Sequence, residues 1–423
     1  MNRALRPLRL EYGRSVDGLS VVRQPPPASA ASFSATYAGP AGWGFDPAGE
    51  EGTARAVSQL LASGAGRYDR IALARRLDAA GATLTPECAP ESAEVTIWGP
   101  AEDWETLLAL LADVVLRPRF APDDIDRVRR QLSERQLREL AQPASRADRE
   151  LFRATYPEGH PYRSNGLGDT RSIARIRPER VRRFHERHYT SGDAVLIVTA
   201  PADLASVERA ARRYFSDFVE SRGPSLRFPR MPSPAPRTVS VNLTGRSEVD
   251  IRIGGDAIPR SDPGYPAAFL ANEVLGGRAQ LSRLFQRIRE RGGLAYHASS
   301  ELEAMRFGGH WTVGAGTAPG NSARVVDLLT REIDRMQHRT VSARELREVR
   351  ESAIGEIPLA LESTADAHEL AVEVAYHRLP EDYLTEWPDT LRAIRPAEVR
   401  EAAARAMDLR HAVTVVAGPL PAR

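Results

Sequence analysis

Four segments of this chain occur twice, in the same order, about half a chain apart. Trp104, Leu107, Leu111 and Val114 step by three, four and three residues, as one stripe of an amphipathic helix does. Val326, Leu329, Ile333 and Met336 repeat that stepping at an offset of 222 (326 − 104). DDIDRVRRQ from Asp123 is answered by RELREVRES from Arg344, with Val128 against Val349 at 221. IRPERVR from Ile176 returns as IRPAEVR from Ile394, and AVLIVTAP from Ala194 as AVTVVAGP from Ala412, both at 218. A unit this long is no solenoid repeat. It is an internal duplication, so whatever the first half folds into, the second must fold into as well. Between the copies runs SRGPSLRFPRMPSPAPR, Ser221 to Arg237, whose five prolines resist both helix and sheet. The expected division is residues 1–220, a linker at 221–237, and residues 238–423.

Each half mixes strands and helices. In the second, Val239, Val241 and Leu243, then Val249, Ile251 and Ile253, alternate as half-buried strands. Helices follow from about Ser322 and Ala343, and a closing strand begins at Ala412. This grouping implies an α+β layer, a sheet covered on one face by helices, built twice. At 423 residues, 42% hydrophobic, the chain has ample core for two domains. No apolar run is long enough to span a bilayer. The start, MNRALRPLRLEYGRS, has basic residues but no apolar core of a secretory signal, so the expectation is cytoplasmic, with the periplasm as the alternative. Cys88, the one cysteine, excludes an internal disulfide and a cysteine-rich metal site, and reads as buried filler. All 58 basic residues are arginine, interleaved with 56 acids for a net charge of +2. An evenly mixed surface of that kind argues against nucleic-acid binding.

The most informative single stretch is LANEVLGGRAQLSRLFQRIRERGGLAYHASS, from Leu270 to Ser300. Leu281, Leu284, Phe285 and Ile288 recur at helical spacing, which predicts one inward-packing face. Gly292 and Gly293 then stop the helix, as residues able to take positive φ do at a C-terminal cap. Arg289 is left in the last turn and Tyr296 opens the next strand, so a guanidinium and a phenol flank one tight turn. Elsewhere, His185 and His188 in RRFHERHY stand at i, i+3 with Glu186 between them. No third ligand lies nearby, so they read as surface residues of a basic helix. His160, in PEGHPYRSNG, reads as a residue that orders its loop. His297 and His310 fall on strands near Tyr296.

The duplication, the LGGRAQLSRLFQRIRERGGLAY stretch and the paired IRPxxV–strand endings resemble the pitrilysin/insulinase-type peptidases, whose metal motif is the inverted zinc signature H-x-x-E-H. The resemblance runs from about Leu19 to Pro419 and is nearest to bacterial members of this length. It implies two homologous α/β-sandwich halves, the fold of mitochondrial-processing-peptidase-like metallopeptidases. It also implies that Arg289 and Tyr296 lie across from a zinc site and hold the substrate. The first half departs from the pattern where the metal should be. Against the family's G-x-x-H-x-x-E-H stands GTARAVSQLL from Gly52, with Arg55 for the first histidine, Ser58 for the glutamate and Gln59 for the second histidine. Zinc needs two imidazoles at i and i+4 and a carboxylate to activate water. A permanent cation in a ligand slot repels the metal. The family's third ligand would fall near Glu134 or Glu139, which without the pair are ordinary helix acids.

Some bacterial members of this family work in pairs, one subunit with the zinc motif and one that has lost it but keeps the arginine and tyrosine. The resemblance is to the second kind: a zinc-less subunit, inactive alone, whose homologous H-x-x-E-H partner holds the zinc. The partner's sheet edge would take the peptide as an added strand. Arg289 would hydrogen-bond a substrate carbonyl and Tyr296 would donate to the developing oxyanion. The alternative is a purely structural scaffold subunit with no part in catalysis.

Overall fold

The structure, a computed structural model, describes residues 9–26, 31–218, 225–226, 228–229, 231 and 236–419. Most of the proline-rich stretch expected as a linker lies outside the described residues. In chain order the strands are β1 (Glu11–Tyr12), β2 (Ser20–Gln24), β3 (Ser32–Gly39), β4 (Gly64–Ala65), β5 (Tyr68–Asp69), β6 (Thr83–Cys88), β7 (Ala93–Pro100) and β8 (Val195–Thr199). They continue as β9 (Arg237–Asn242), β10 (Val249–Ala257), β11 (Ala295–Ala304), β12 (Gly309–Thr317) and β13 (Val413–Gly418). The first helices are α1 (Thr53–Leu61), α2 (Arg70–Ala79), α3 (Trp104–Leu116), α4 (Pro122–Ala141), α5 (Pro143–Thr155), α6 (Thr170–Ala174), α7 (Pro178–His188) and α8 (Leu204–Phe215). The later ones are α9 (Tyr265–Asn272), α10 (Ser322–His338), α11 (Ala343–Ala360), α12 (Thr364–Tyr376), α13 (Tyr383–Ala393) and α14 (Pro396–Ala406).

Two sheets share one strand order. The first reads β1-β2-β8-β3-β7-β6, and the second, taken from its far edge, β9-β13-β10-β12-β11. In each, a strand near the start of the half pairs in parallel with the strand closing it, β2 with β8 and β9 with β13. The remaining pairings are antiparallel. The duplicated segments land on matching elements: α3 and α10, α4 and α11, β8 and β13, and α7 and α14. Pro178 and Pro396 each take a first-turn position, where the missing N–H costs nothing.

The chain divides into two compact units that are not continuous in sequence. One gathers Met1–Gln136, Asn165–Arg227 and Ile357–Thr385; the other gathers Leu137–Ser164, Phe228–Glu356 and Glu386–Arg423. In the first unit the expected helical cover is present. Leu107, Leu111 and Val114 of α3, Val57 and Leu60 of α1, and Phe215 of α8 share a core with Phe33, Tyr37 and Ile97. Each such side chain contributes roughly 1.5–3 kcal/mol of burial.

The expectation of one covered face needs correction. The second face of the first sheet is covered by α12, whose Ala367, Ala371 and Ala375 meet Val22, Ala38, Val195 and Ile197. Likewise Ala147 and Leu151 of α5 meet Val413, Val415 and Ala417 in the second unit. So a helix from the first half of the sequence seals the second sheet, and one from the second half seals the first. β8 shows why: its five residues, VLIVT, are all buried, as in a strand packed on both faces. His368 of α12 is enclosed here, Nε2 at 2.8 Å from Thr36 Oγ1 and Nδ1 at 2.8 Å from Thr199 Oγ1. Burial pushes it down to about 3, so it is held neutral.

Candidate functional site

The first candidate region lies on α1. Asp46 caps this helix, accepting from Gly52 N (2.8 Å) and Ala54 N (2.7 Å), yet burial outweighs those bonds and pushes its carboxyl up to about 8. Arg55 sits half-buried one turn in. Its Nη2 donates to the Asn165 carbonyl at 2.9 Å, and its guanidinium lies 4.7 Å from the centre of the Trp43 ring. Ser58 is buried at 2% exposure, and Gln59 is half-buried. The three positions that would carry histidine, glutamate and histidine therefore present a structural cation, a buried hydroxyl and an amide. These residues do not fit zinc. Among the described residues, no three His, Cys, Asp or Glu side chains stand together in a way that could hold a metal ion. Glu134 is exposed on α4 and Glu139 half-buried. Cys88 bonds weakly to the Ala89 carbonyl (3.9 Å), and burial pushes its thiol up to about 12, which makes it inert.

The histidine pair on α7 is not a surface feature. His185 Nε2 lies 2.7 Å from the Val115 carbonyl, with its ring stacked on Tyr189 and edge-on to Phe120. His188 is 5% exposed and packs against Phe45 and Phe184. Burial pushes both down to about 4. They are aromatic packing groups with one polar edge, and the arginines around them take the solvent. His160 caps the turn after it, its Nδ1 accepting from Tyr162 N at 3.1 Å, and stacks on Tyr156.

The second region is the turn between residues 289 and 296. The expected single helix before it is broken. α9 widens into a π-helical turn at Glu273–Gly277, Ala279 takes φ +20°, and Ser282 is extended before helix resumes. A Cβ on Gly276 would stand 2.3 Å from Ser300 N, so glycine is what lets this segment lie against β11. Leu284 and Ile288 are buried as expected, but Leu281, in the break, is 39% exposed. The resumed helix is π-helical over Phe285–Glu290, with Arg291 N donating five residues back to Gln286 O at 3.0 Å. It ends at Gly293 (φ +57°), whose N–H bonds the Arg289 carbonyl at 3.1 Å while Leu294 N bonds Ile288 O at 3.0 Å.

Arg289 is exposed, its guanidinium over the Phe285 ring at 5.0 Å. Tyr296 is 75% exposed. It is the extra residue of a bulge: Ala295 pairs with Thr317 and His297 with Gly316, which leaves Tyr296 without an opposite number. Bulges bend a strand and re-aim a side chain. This one sits on β11, an edge strand.

Sequence reasoning missed most of a cavity of about 310 Å³ on the face of this sheet, lined by His297 and His310 with Asp148, Phe152, Arg252, Glu301 and Glu303 among others. Burial opposes the Arg252 charge, but Asp148 (2.6 Å) and Asp250 (3.1 Å) more than offset it. His310 Nε2 lies 3.0 Å from Glu303. Asp148 reaches this face on α5, a placement that local sequence could not give.

Two family models match the chain: insulinase (peptidase family M16) over residues 40–164, and the peptidase M16 inactive domain over residues 175–353. The chain belongs to the M16 family. The first match contains Arg55, Ser58 and Gln59, and the second contains Arg289 and Tyr296. An uncharacterized zinc protease of Mycobacterium leprae is 27% identical over 350 residues, 82% of this chain and 78% of that protein. Mitochondrial cytochrome b-c1 complex subunit 1 of Caenorhabditis elegans is 24% identical over 300 residues, 70% of this chain and 55% of that one. The crystal structure of a peptidase M16 inactive domain from Pseudomonas fluorescens superposes with a TM-score of 0.92 at 22% identity, covering 98% of this chain and 99% of that one. That last likeness speaks to the M16 fold. Among the described residues, no helix is long and apolar enough to cross a membrane.

Proposed function

We propose that this chain is the zinc-less subunit of a heterodimeric M16 metallopeptidase, and that it lends Arg289 and Tyr296 to peptide hydrolysis at its partner's zinc site. One contrast carries the reading. The arginine at the lost ligand position is built into the structure, against Trp43 and the Asn165 carbonyl, whereas Arg289 and Tyr296 are turned to solvent. The metal in the partner would supply the activated water. Arg289 would hold a substrate carbonyl with its fork of donors, and Tyr296 Oη would donate to the oxyanion as the carbonyl becomes tetrahedral.

The test mixes the purified chain with the homologous H-x-x-E-H subunit and assays peptide cleavage and co-elution against each alone. Tyr296→Phe should leave the pair assembled and slow turnover by about 100- to 1,000-fold, the usual effect of deleting one oxyanion donor. Unchanged turnover would remove the catalytic role. The similarity to a b-c1 complex subunit favours a second reading, a scaffold with no part in catalysis. On that reading the mixture assembles, and Tyr296→Phe changes nothing.

A further inference from the structure

We infer that Glu332 and Glu345 are positioning residues for Arg289, acting through a clamp of ion pairs on the π-helical segment that carries it. The inference rests on the reading in which Arg289 acts on a partner's substrate. Backbone in π geometry is rare and persists where its surroundings fix it. This segment is cut off from α9 by the break around Ala279 and Ser282, so α9 cannot hold its direction. Two side chains one turn apart tie it down instead. Arg283 gives a two-pronged bond to Glu345 of α11, Nε to Oε1 and Nη2 to Oε2, both 2.7 Å. Arg287 Nη1 bonds Glu332 Oε1 of α10 at 2.5 Å.

Glu332 is unusual in itself. Its side chain is 2% exposed, its Oε1 also accepts from Arg335 Nη1 at 2.7 Å, and its Oε2 makes no hydrogen bond among the described residues. A carboxylate kept that far from water is costly: burial pushes it above its ordinary value, and the ion pairs with Arg287 and Arg335 offset that cost in part. A planar fork on Glu345 and a charge-assisted bond to Glu332 fix both the rotation and the height of the segment. Arg289 lies two residues past Arg287 and one past the buried Ile288, so its direction is set by those anchors. Arg287 and Arg335 are 43% and 38% exposed, so both can turn to water once Glu332 loses its charge. Glu332→Gln should therefore loosen the segment without unfolding the unit.

The experiment uses the assembled pair and a quenched fluorescent peptide that the wild-type pair cleaves, with Glu332→Gln, Arg289→Gln and the double variant measured side by side. Glu332→Gln should lower turnover by roughly tenfold to a hundredfold, as expected of a reacting group displaced by about 1 Å. Glu332→Asp should recover part of that loss. In the Arg289→Gln background the same change should have almost no further effect, because the two act as one unit. Should Glu332→Gln fail to fold, Glu345→Gln replaces it, since that carboxylate is 25% exposed and its loss is better tolerated. Equal factors with and without Arg289 would mean a merely structural role and overturn the inference. So would unchanged turnover in the glutamate variants while Arg289→Gln is slow. If Arg289→Gln itself turns over normally, the reading of the paired enzyme fails first, and the inference falls with it.

Discussion

Two arginines on helices, Arg55 and Arg289, show how differently the two halves of a duplicated chain can use the same side chain. Arg55 points into its unit, bonds a backbone carbonyl and stacks on an indole. Arg289 points out and rests on the ring of Phe285, a residue of its own helix. The first guanidinium is packed into its unit, and the second faces solvent. In a duplicated fold, one half can use an arginine for packing while the other leaves one exposed.

That contrast predicts opposite phenotypes. In the assembled pair, Arg289→Gln should cut peptide turnover by about one to two orders of magnitude, since a charge-assisted hydrogen bond is worth roughly 1.5–3 kcal/mol. Its melting temperature should hardly move, because exposed substitutions stay within about 0.5 kcal/mol. Arg55→Gln should do the reverse. It gives up the Trp43 contact and one bond to the half-buried Asn165 carbonyl, lowering stability by roughly 1–3 kcal/mol with turnover intact. Thermal melts and steady-state assays on both variants check this, and matching phenotypes would break the comparison.

A smaller effect sharpens it. His185, His188 and His368 are held neutral by burial, at about 4, 4 and 3. Their folded values lie below the ordinary value near 6.5, so the unfolded chain binds more protons in between. Their contribution is present above about pH 6.5 and drains away as pH falls toward 4. Asp46, pushed up to about 8, and Glu94, pushed up to about 7, run the other way, so the readout is the difference between variants: His188→Gln should lower the melting temperature at pH 7, and that gap should shrink as pH falls toward 4. A gap between wild type and His188→Gln that is the same at pH 7 and pH 4.5 would contradict the assignment of this ring as a packing group.

Much of the fold was legible because it is local and repeated. The stripes at Trp104–Val114 and Val326–Met336 and the strands beginning near Ala194 and Ala412 appear where the pattern put them. What escaped was non-local. Nothing in the periodicity of α5 or α12 says that each seals a sheet of the other half, although the unbroken apolar run of β8 called for a second cover. RRFHERH looked like a solvated face because arginine dominates it, but the imidazoles face an aromatic cluster. Leu281 fits the helical period of Leu284 and Ile288, and only backbone geometry at Ala279 and Ser282 removes it from their face. At the site, Arg289, the glycine stop and Tyr296 could be read from sequence, whereas the bulge that turns Tyr296 outward and the ion-pair clamp could not.

The most direct measurement is the zinc content and peptide-cleaving activity of the purified chain, taken alone and then mixed with its H-x-x-E-H homologue. The expected result is less than stoichiometric zinc and no cleavage for the chain alone, with cleavage in the mixture beyond that of the homologue by itself. One zinc per chain, bound at Arg55, Ser58 and Gln59 and accompanied by cleavage without a partner, would contradict it.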